Sequence, residues 1–170
     1  MIAAAVFVIF PFCLAVAALS DLFTMTIPNR VSLVLALSFL LTAPLVGMQF
    51  EAIGLSLVAG LAVFMACFAL FALNIMGGGD AKLLSAAALW FGLTNSLVLF
   101  VAAVGLFGGL LTFAILLLRT QSNTILAMGV PVPNSLILAK KIPYGIAIAA
   151  GGFIAFPSSP IFTATLEALK

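Results

Sequence analysis

Two aspartates stand out among the residues that could do chemistry, because ionisable side chains are scarce in this chain. Of its 170 residues, 66% are hydrophobic and 6% are charged, and none is histidine. Asp21 follows an apolar run, and Asp80 closes the glycine run Gly77-Gly78-Gly79. A charged carboxylate at bilayer depth costs roughly 2.5 to 3.5 kcal/mol on insertion scales. We therefore interpret both aspartates as functional groups.

The absence of histidine from the sequence narrows the reactions that its side chains can support. Without histidine, Ser-His and Cys-His nucleophilic systems and histidine-ligated zinc are excluded. Carboxylates are then the strongest acid-base groups in the chain. Two carboxylates brought together can share one proton, so that one activates a water molecule and the other protonates the scissile amide. The pattern indicates aspartic proteolysis, with no metal and no other cofactor.

Other interpretations of these residues stay open at this point. Lys82 and Ser85 are one helical turn apart and could form a Ser-Lys dyad, although this spacing is common. The glycine run is not followed by the Gly-Lys-Ser/Thr of a phosphate-binding loop. Either aspartate alone could simply cap a membrane helix. The main alternative function is a proton- or ion-coupled transporter, since intramembrane acids also mark ion pathways.

Composition predicts an all-α polytopic membrane protein, which we expect to be a single domain over residues 1–170. The mean hydropathy is +1.45, and the apolar runs predict six transmembrane helices. The predicted segments are Ile2 to Leu19, Val31 to Val46, Ala52 to Leu73, Ala81 to Leu93, Ser96 to Leu118 and Ile142 to Phe162. The fourth segment is short, so we expect it to be tilted, sunk into the bundle, or preceded by a re-entrant glycine run.

The basic residues predict the orientation of the chain. With the N-terminus outside, the cytoplasmic side receives Arg30, Lys82, Arg119, Lys140 and Lys141. Two spans separate Asp21 from Asp80, which puts both on the cytoplasmic side, whereas Glu51 and Glu167 fall outside. We also expect an irregular cytoplasmic segment over residues 119–141.

Charge and cysteine content exclude other classes of partner and site. The net charge of +2 comes from six basic and four acidic residues, too few for a nucleic-acid footprint. Cys13 and Cys67 lie in apolar runs and form no C-x-x-C motif, so neither a disulfide framework nor a thiolate metal site is indicated. The lipid bilayer is the partner that this composition predicts.

Three motifs, in order along the chain, resemble those of the type IV prepilin peptidases, the G-x-G-D class of membrane aspartic proteases. The motifs are Ser20-Asp21-Leu22 with Ile27-Pro28-Asn29, then Gly77-Gly78-Gly79-Asp80-Ala81-Lys82-Leu83-Leu84, then Pro143-Tyr144-Gly145-Ile146-Ala147. The resemblance implies that Asp21 and Asp80 are a catalytic pair that cleaves prepilin leader peptides at the cytoplasmic face of a bacterial inner membrane. It assigns six further residues to the active-site loops: Gly77, Gly78, Gly79, Lys82, Pro28 and Asn29.

The chain departs from the bifunctional members of that family in one respect. Those members carry a cytoplasmic insertion with paired C-x-x-C motifs, associated with methylation of the new N-terminus, and this sequence has no such motifs. It is similar to the short CpaA/TadV-like form that serves Flp (tight-adherence) pili. The resemblance therefore implies a Flp-type prepilin substrate, a role in pilus assembly and protein secretion, and no N-methyltransferase activity.

Overall fold

The computed structural model describes residues 2–120 and 142–169, most of which lie in helices. The helices are α1 (Ile2–Thr24), α2 (Asn29–Leu45), α3 (Phe50–Ala72), α4 (Gly78–Phe91), α5 (Asn95–Thr120), α6 (Tyr144–Ala155) and α7 (Pro160–Glu167). The described residues contain no β-strand, which confirms the predicted all-α class. The irregular segment predicted for residues 119–141 lies, beyond Thr120, outside the described residues, as do Lys140 and Lys141.

Several of these helices have the length and composition of membrane spans. Three can cross a bilayer by themselves: Ala3–Thr24, Phe50–Ala72 and Asn95–Thr120. α6 and α7 form a pair, bent by 42°, that together pass the same test, and α2 is apolar but only 17 residues long. The chain is therefore a polytopic helical membrane protein. The count of six spans and the external N-terminus stay predictions.

The last predicted segment, Ile142 to Phe162, is broken into two helices. A 3-10 helix at Phe156–Ser158 ends α6, and α7 begins at Pro160. Proline has no backbone N–H, so it suits the first position of a new helix but cannot continue the preceding one. Ser159 caps α7, because its Oγ accepts a hydrogen bond from the Phe162 N–H at 3.3 Å.

α4 is the central helix of the bundle, although its 14 residues are too few to span a bilayer alone. Eight of its residues are buried, compared with four of 23 in α3. Trp90 is fully buried, and its indole N–H donates to the Leu35 carbonyl of α2 at 3.0 Å. Gly92, with a φ of +58°, ends the helix. Of the three expectations for the short fourth segment, burial within the bundle is the one that these contacts show.

The helices pack in two groups that α2 connects. α1 packs chiefly against α6, which also runs along α5, whereas α4 packs chiefly against α3. α2 packs on both α1 and α4 but barely meets α3. The groups also meet in a buried aromatic cluster, defined by Phe10, Trp90, Phe91, Phe100 and Phe156. Phe10 of α1 stacks on Phe156 with ring centroids 4.5 Å apart and lies 5.0 Å from Trp90 of α4.

Candidate active site

Asp21 lies in the last turn of α1 rather than in the loop after it. Its side chain is only 6% exposed, and a buried carboxylate is stable only where hydrogen-bond donors meet it. The backbone N–H of Gly145 donates to Asp21 Oδ2 at 2.7 Å. Gly145 is the second residue of α6, and N–H groups in the first turn of a helix have no partner within that helix. The positive end of α6 therefore faces this carboxylate and stabilises negative charge on it.

The close approach of α6 to Asp21 depends on Gly145 having no side chain. A Cβ at this position would lie 2.9 Å from Asp21 Cβ, 3.0 Å from Asp21 Oδ2 and 3.3 Å from the Ala17 carbonyl oxygen. The first two distances are shorter than van der Waals contact, so the two helices could not keep this spacing with alanine at 145. The Pro143-Tyr144-Gly145 motif thus has a structural role that sequence reasoning missed: it brings a backbone donor to a buried carboxylate.

Asp80 lies in the first turn of α4 and is partly exposed. Gly77 is the N-cap residue of this helix, with a φ of −72° that any residue can adopt. A Cβ on Gly77 would nevertheless lie 2.7 Å from Asp80 Oδ2. The carboxylate of Asp80 therefore occupies the space that a side chain at position 77 would need.

The Ile27-Pro28-Asn29 segment crosses the start of α4, and two contacts hold it there. A Cβ on Gly79 would lie 3.2 Å from Ile27 Cβ, so the segment packs directly on the glycine. Lys82 Nζ donates to Asn29 Oδ1 at 3.0 Å. The two sequence motifs around Asn29 and Asp80 therefore form one packed unit at the start of α2 and α4.

A turn with hydroxyl side chains connects Asp21 to this unit, and sequence reasoning did not single it out. Ser20 Oγ donates to the Thr26 carbonyl at 2.8 Å, and Thr24 Oγ1 donates to the Ser20 carbonyl at 2.8 Å. Met25 has a φ of +53°, which is uncommon for a bulky residue. The hydroxyl bonds offset the cost of that conformation and fix the path from Asp21 to α2. Three hydroxyl residues within seven positions of an apolar chain were the available signal.

Asp21 and Asp80 line one pocket of about 260 Å³. The rest of its lining comes from three segments of the chain: Met25, Thr26, Ile27 and Asn29; Gly77, Gly78 and Gly79; and Ile142. Of the predicted site residues, the structure brings together both aspartates, the three glycines and Asn29. Pro28 and Lys82 do not line this pocket. Pro28 is the N-cap residue of α2, and Lys82 extends to the side chain of Asn29.

The pocket offers two carboxylates as acid-base groups in a small space. The hydrogen bonds of Lys82 and Ser85 run elsewhere, since Lys82 Nζ donates to Asn29 and Ser85 Oγ donates to the Ala81 carbonyl at 2.6 Å. The alternative Ser-Lys dyad therefore has no support from these bonds. Within residues 2–120 and 142–169, no group of three or more His, Cys, Asp or Glu side chains could hold a metal ion.

Comparison with known proteins supports the resemblance that the motifs suggest. A protein-family model described as the type IV leader peptidase family matches residues 8–113. The matched range is more than half of the chain and includes Asp21, the Ile27-Pro28-Asn29 segment and Asp80. Neither the comparison with curated proteins nor that with solved structures gives a match. From the family match, the chain belongs to the type IV leader peptidase family.

Proposed function

We propose that this chain is a membrane-embedded aspartic endopeptidase, with one peptidase domain over residues 1–170. It removes the leader peptide from Flp (Tad)-type prepilins, small precursors with a basic leader and an apolar helix, at the cytoplasmic face of the inner membrane. Membership of the leader peptidase family supports a prepilin substrate. The observation that carries the aspartic mechanism is the shared pocket, which both Asp21 and Asp80 line although they belong to different helices.

In the proposed reaction, a water molecule lies between the two carboxyl groups, which together hold one proton. The ionised carboxylate takes a proton from the water as the water oxygen attacks the scissile carbonyl carbon. The protonated carboxyl gives its proton to the leaving amide nitrogen as the C–N bond breaks. The pair then again holds one proton, with the roles of the two groups exchanged. The Gly145 N–H keeps Asp21 in position throughout.

Leader cleavage by the purified protein tests this function directly. Protein in detergent should process a Flp-type prepilin, and mass spectrometry of the product should show a single new N-terminus. EDTA should leave the rate unchanged, and S-adenosylmethionine should add no methyl group to the product. A rate lost on chelation and restored by a divalent metal would contradict the aspartic mechanism. Ion flux in liposomes without any cleavage would favour the transporter instead.

Replacing Gly77 by alanine tests whether the Asp80 carboxylate must stand where it does. The new Cβ would lie 2.7 Å from Asp80 Oδ2, so the aspartate side chain must turn to another rotamer. We expect leader cleavage to fall up to about 100-fold, because small displacements of reacting groups have such effects. Folding stability should change little, since only the end of a flexible side chain moves. Gly105→Ala is the control, because a Cβ there meets nothing within 4 Å; equal rates for the two variants would refute the expectation.

A further inference from the structure

A larger apolar cavity opens beside the pocket that holds the two aspartates. It has a volume of about 700 Å³ and lies between α2, α3 and α4, where α2 and α3 barely meet. Six residues form most of its apolar lining: Leu33, Ala36, Gly60, Leu61, Phe64 and Leu89. We call this cavity the α2–α3 groove.

The groove adjoins the aspartate pocket through a shared residue. Asn29 lines both cavities, and Arg30 and Lys82 line the groove at the same end. α2 and α4 both begin at this end. The groove follows α2 from Asn29 to Ala36, which is roughly 10 Å, or two helical turns. A chain segment in the groove would therefore continue into the pocket.

Ser32 gives the groove an unused hydrogen-bonding group. Its side chain is 7% exposed and lines the groove, and its Oγ has no hydrogen-bond partner in the described part of the chain. Buried hydroxyl groups are normally paired, because leaving one unpaired costs about 1–3 kcal/mol. An occupant with a free polar group at this depth would supply the hydrogen bond that Ser32 Oγ lacks.

We propose that the α2–α3 groove binds the first two turns of the apolar helix of the prepilin substrate and so presents the leader junction to Asp21 and Asp80. The proposal rests on the proposed function. The first N–H groups of an α-helix have no partner within the helix, and Ser32 Oγ can accept a hydrogen bond from one of them. A lipid acyl chain has an apolar body but no such donor. The cationic side chains of Arg30 and Lys82 would repel a basic leader, so the helix enters the groove and the leader does not.

A bulky side chain in the groove should block substrate binding without touching the aspartates. Ala36→Trp fills the groove, and Leu41→Trp is the matched control, because Leu41 lies on the same helix, is 67% exposed and does not line the groove. With full-length Flp-type prepilin, we expect Ala36→Trp to lower kcat/KM at least about tenfold relative to the control, mainly through KM.

A smaller change tests the role assigned to Ser32. Ser32→Ala should raise KM for prepilin by about threefold to tenfold, the effect of one lost hydrogen bond. Ser38→Ala is the control, since Ser38 is also buried on α2 but donates to the Leu35 carbonyl at 3.0 Å and lies outside the groove. An unchanged KM for Ser32→Ala would refute the hydrogen bond to the substrate.

Photo-cross-linking identifies the occupant independently of turnover. Benzoylphenylalanine at position 61, in an Asp80→Asn protein that traps the substrate, should cross-link to the apolar helix of the prepilin. The same group at position 113 of α5 should not, although Leu61 and Phe113 are similarly exposed, at 61% and 64%. Cross-links from position 61 to lipid alone, or equal KM values for Ala36→Trp and Leu41→Trp, would refute substrate binding in the groove. Neither result would contradict the proposed peptidase function. A wild-type protein that cleaves no prepilin would overturn both.

Discussion

Asp21→Asn and Asp80→Asn, each alone, are expected to lower leader cleavage by at least about 1,000-fold. Asparagine keeps the size of aspartate, but its amide can neither take the proton of the attacking water nor supply one to the leaving nitrogen. Because the two carboxyl groups act as a unit, the loss of either should cost nearly as much as the loss of both. The measurement is the initial rate of prepilin processing by purified variants, with the product quantified by mass spectrometry.

Glu51→Gln is the matched control for this pair. Glu51 is an exposed acid in the first turn of α3, and it does not line the aspartate pocket. The variant should insert into the membrane and process prepilin at nearly the wild-type rate. An active aspartate variant, or an inactive Glu51→Gln protein, would show that the catalytic pair is wrongly assigned.

Gly145→Ala is expected to lose both activity and stability. The new Cβ would lie 2.9 Å from Asp21 Cβ, which is not a movable end of a side chain, so α1 and α6 must separate. The hydrogen bond from the 145 N–H to Asp21 Oδ2, now 2.7 Å, would lengthen. We expect cleavage to fall at least about 100-fold and the free energy of unfolding to fall by about 1–3 kcal/mol. Prepilin processing and thermal unfolding in detergent measure the two effects.

Gly109→Ala controls for the substitution itself, because a Cβ at 109 on α5 meets nothing within 4 Å. It should match the wild-type protein in both measurements. Normal cleavage by Gly145→Ala would mean that Asp21 does not need the backbone donor. The contrast with Gly77→Ala is also informative, because that variant should lose activity while its stability is kept.

The two aspartates could be singled out from the sequence because acids are rare in this apolar chain, and the structure places both in the lining of one pocket. The all-α class could be predicted because the chain has apolar runs that are long enough to cross a bilayer as helices. The exact helix ends did not follow, since apolar runs mark the parts of a helix that face lipid or core. Polar residues in a terminal turn, such as Asp21 and Asp80, therefore look like loop residues.

The contacts that hold the site together could not be predicted from a single sequence. The bond from Gly145 to Asp21 depends on the distance between two helices that are far apart along the chain. The same is true of the bond from Lys82 to Asn29. The break before Pro160 was in principle visible, because proline cannot continue a helix, but the surrounding apolar residues suggested one continuous span.

The aromatic cluster joins the two helix groups at one end, and the two aspartates lie at the other. A rotation of one group about the cluster would therefore move its aspartate relative to the aspartate of the other group. From Trp90 back to Asp80, α4 covers about 15 Å. A rotation of one group by about 5° around the cluster would change the separation of the carboxylates by about 1 Å over that length. That displacement is enough to make or break a hydrogen bond. Collective helix motions take microseconds to milliseconds, whereas side-chain rotations take picoseconds to nanoseconds. The proton sharing that the proposed mechanism requires of Asp21 and Asp80 is therefore expected to follow the slow tilting of whole helices.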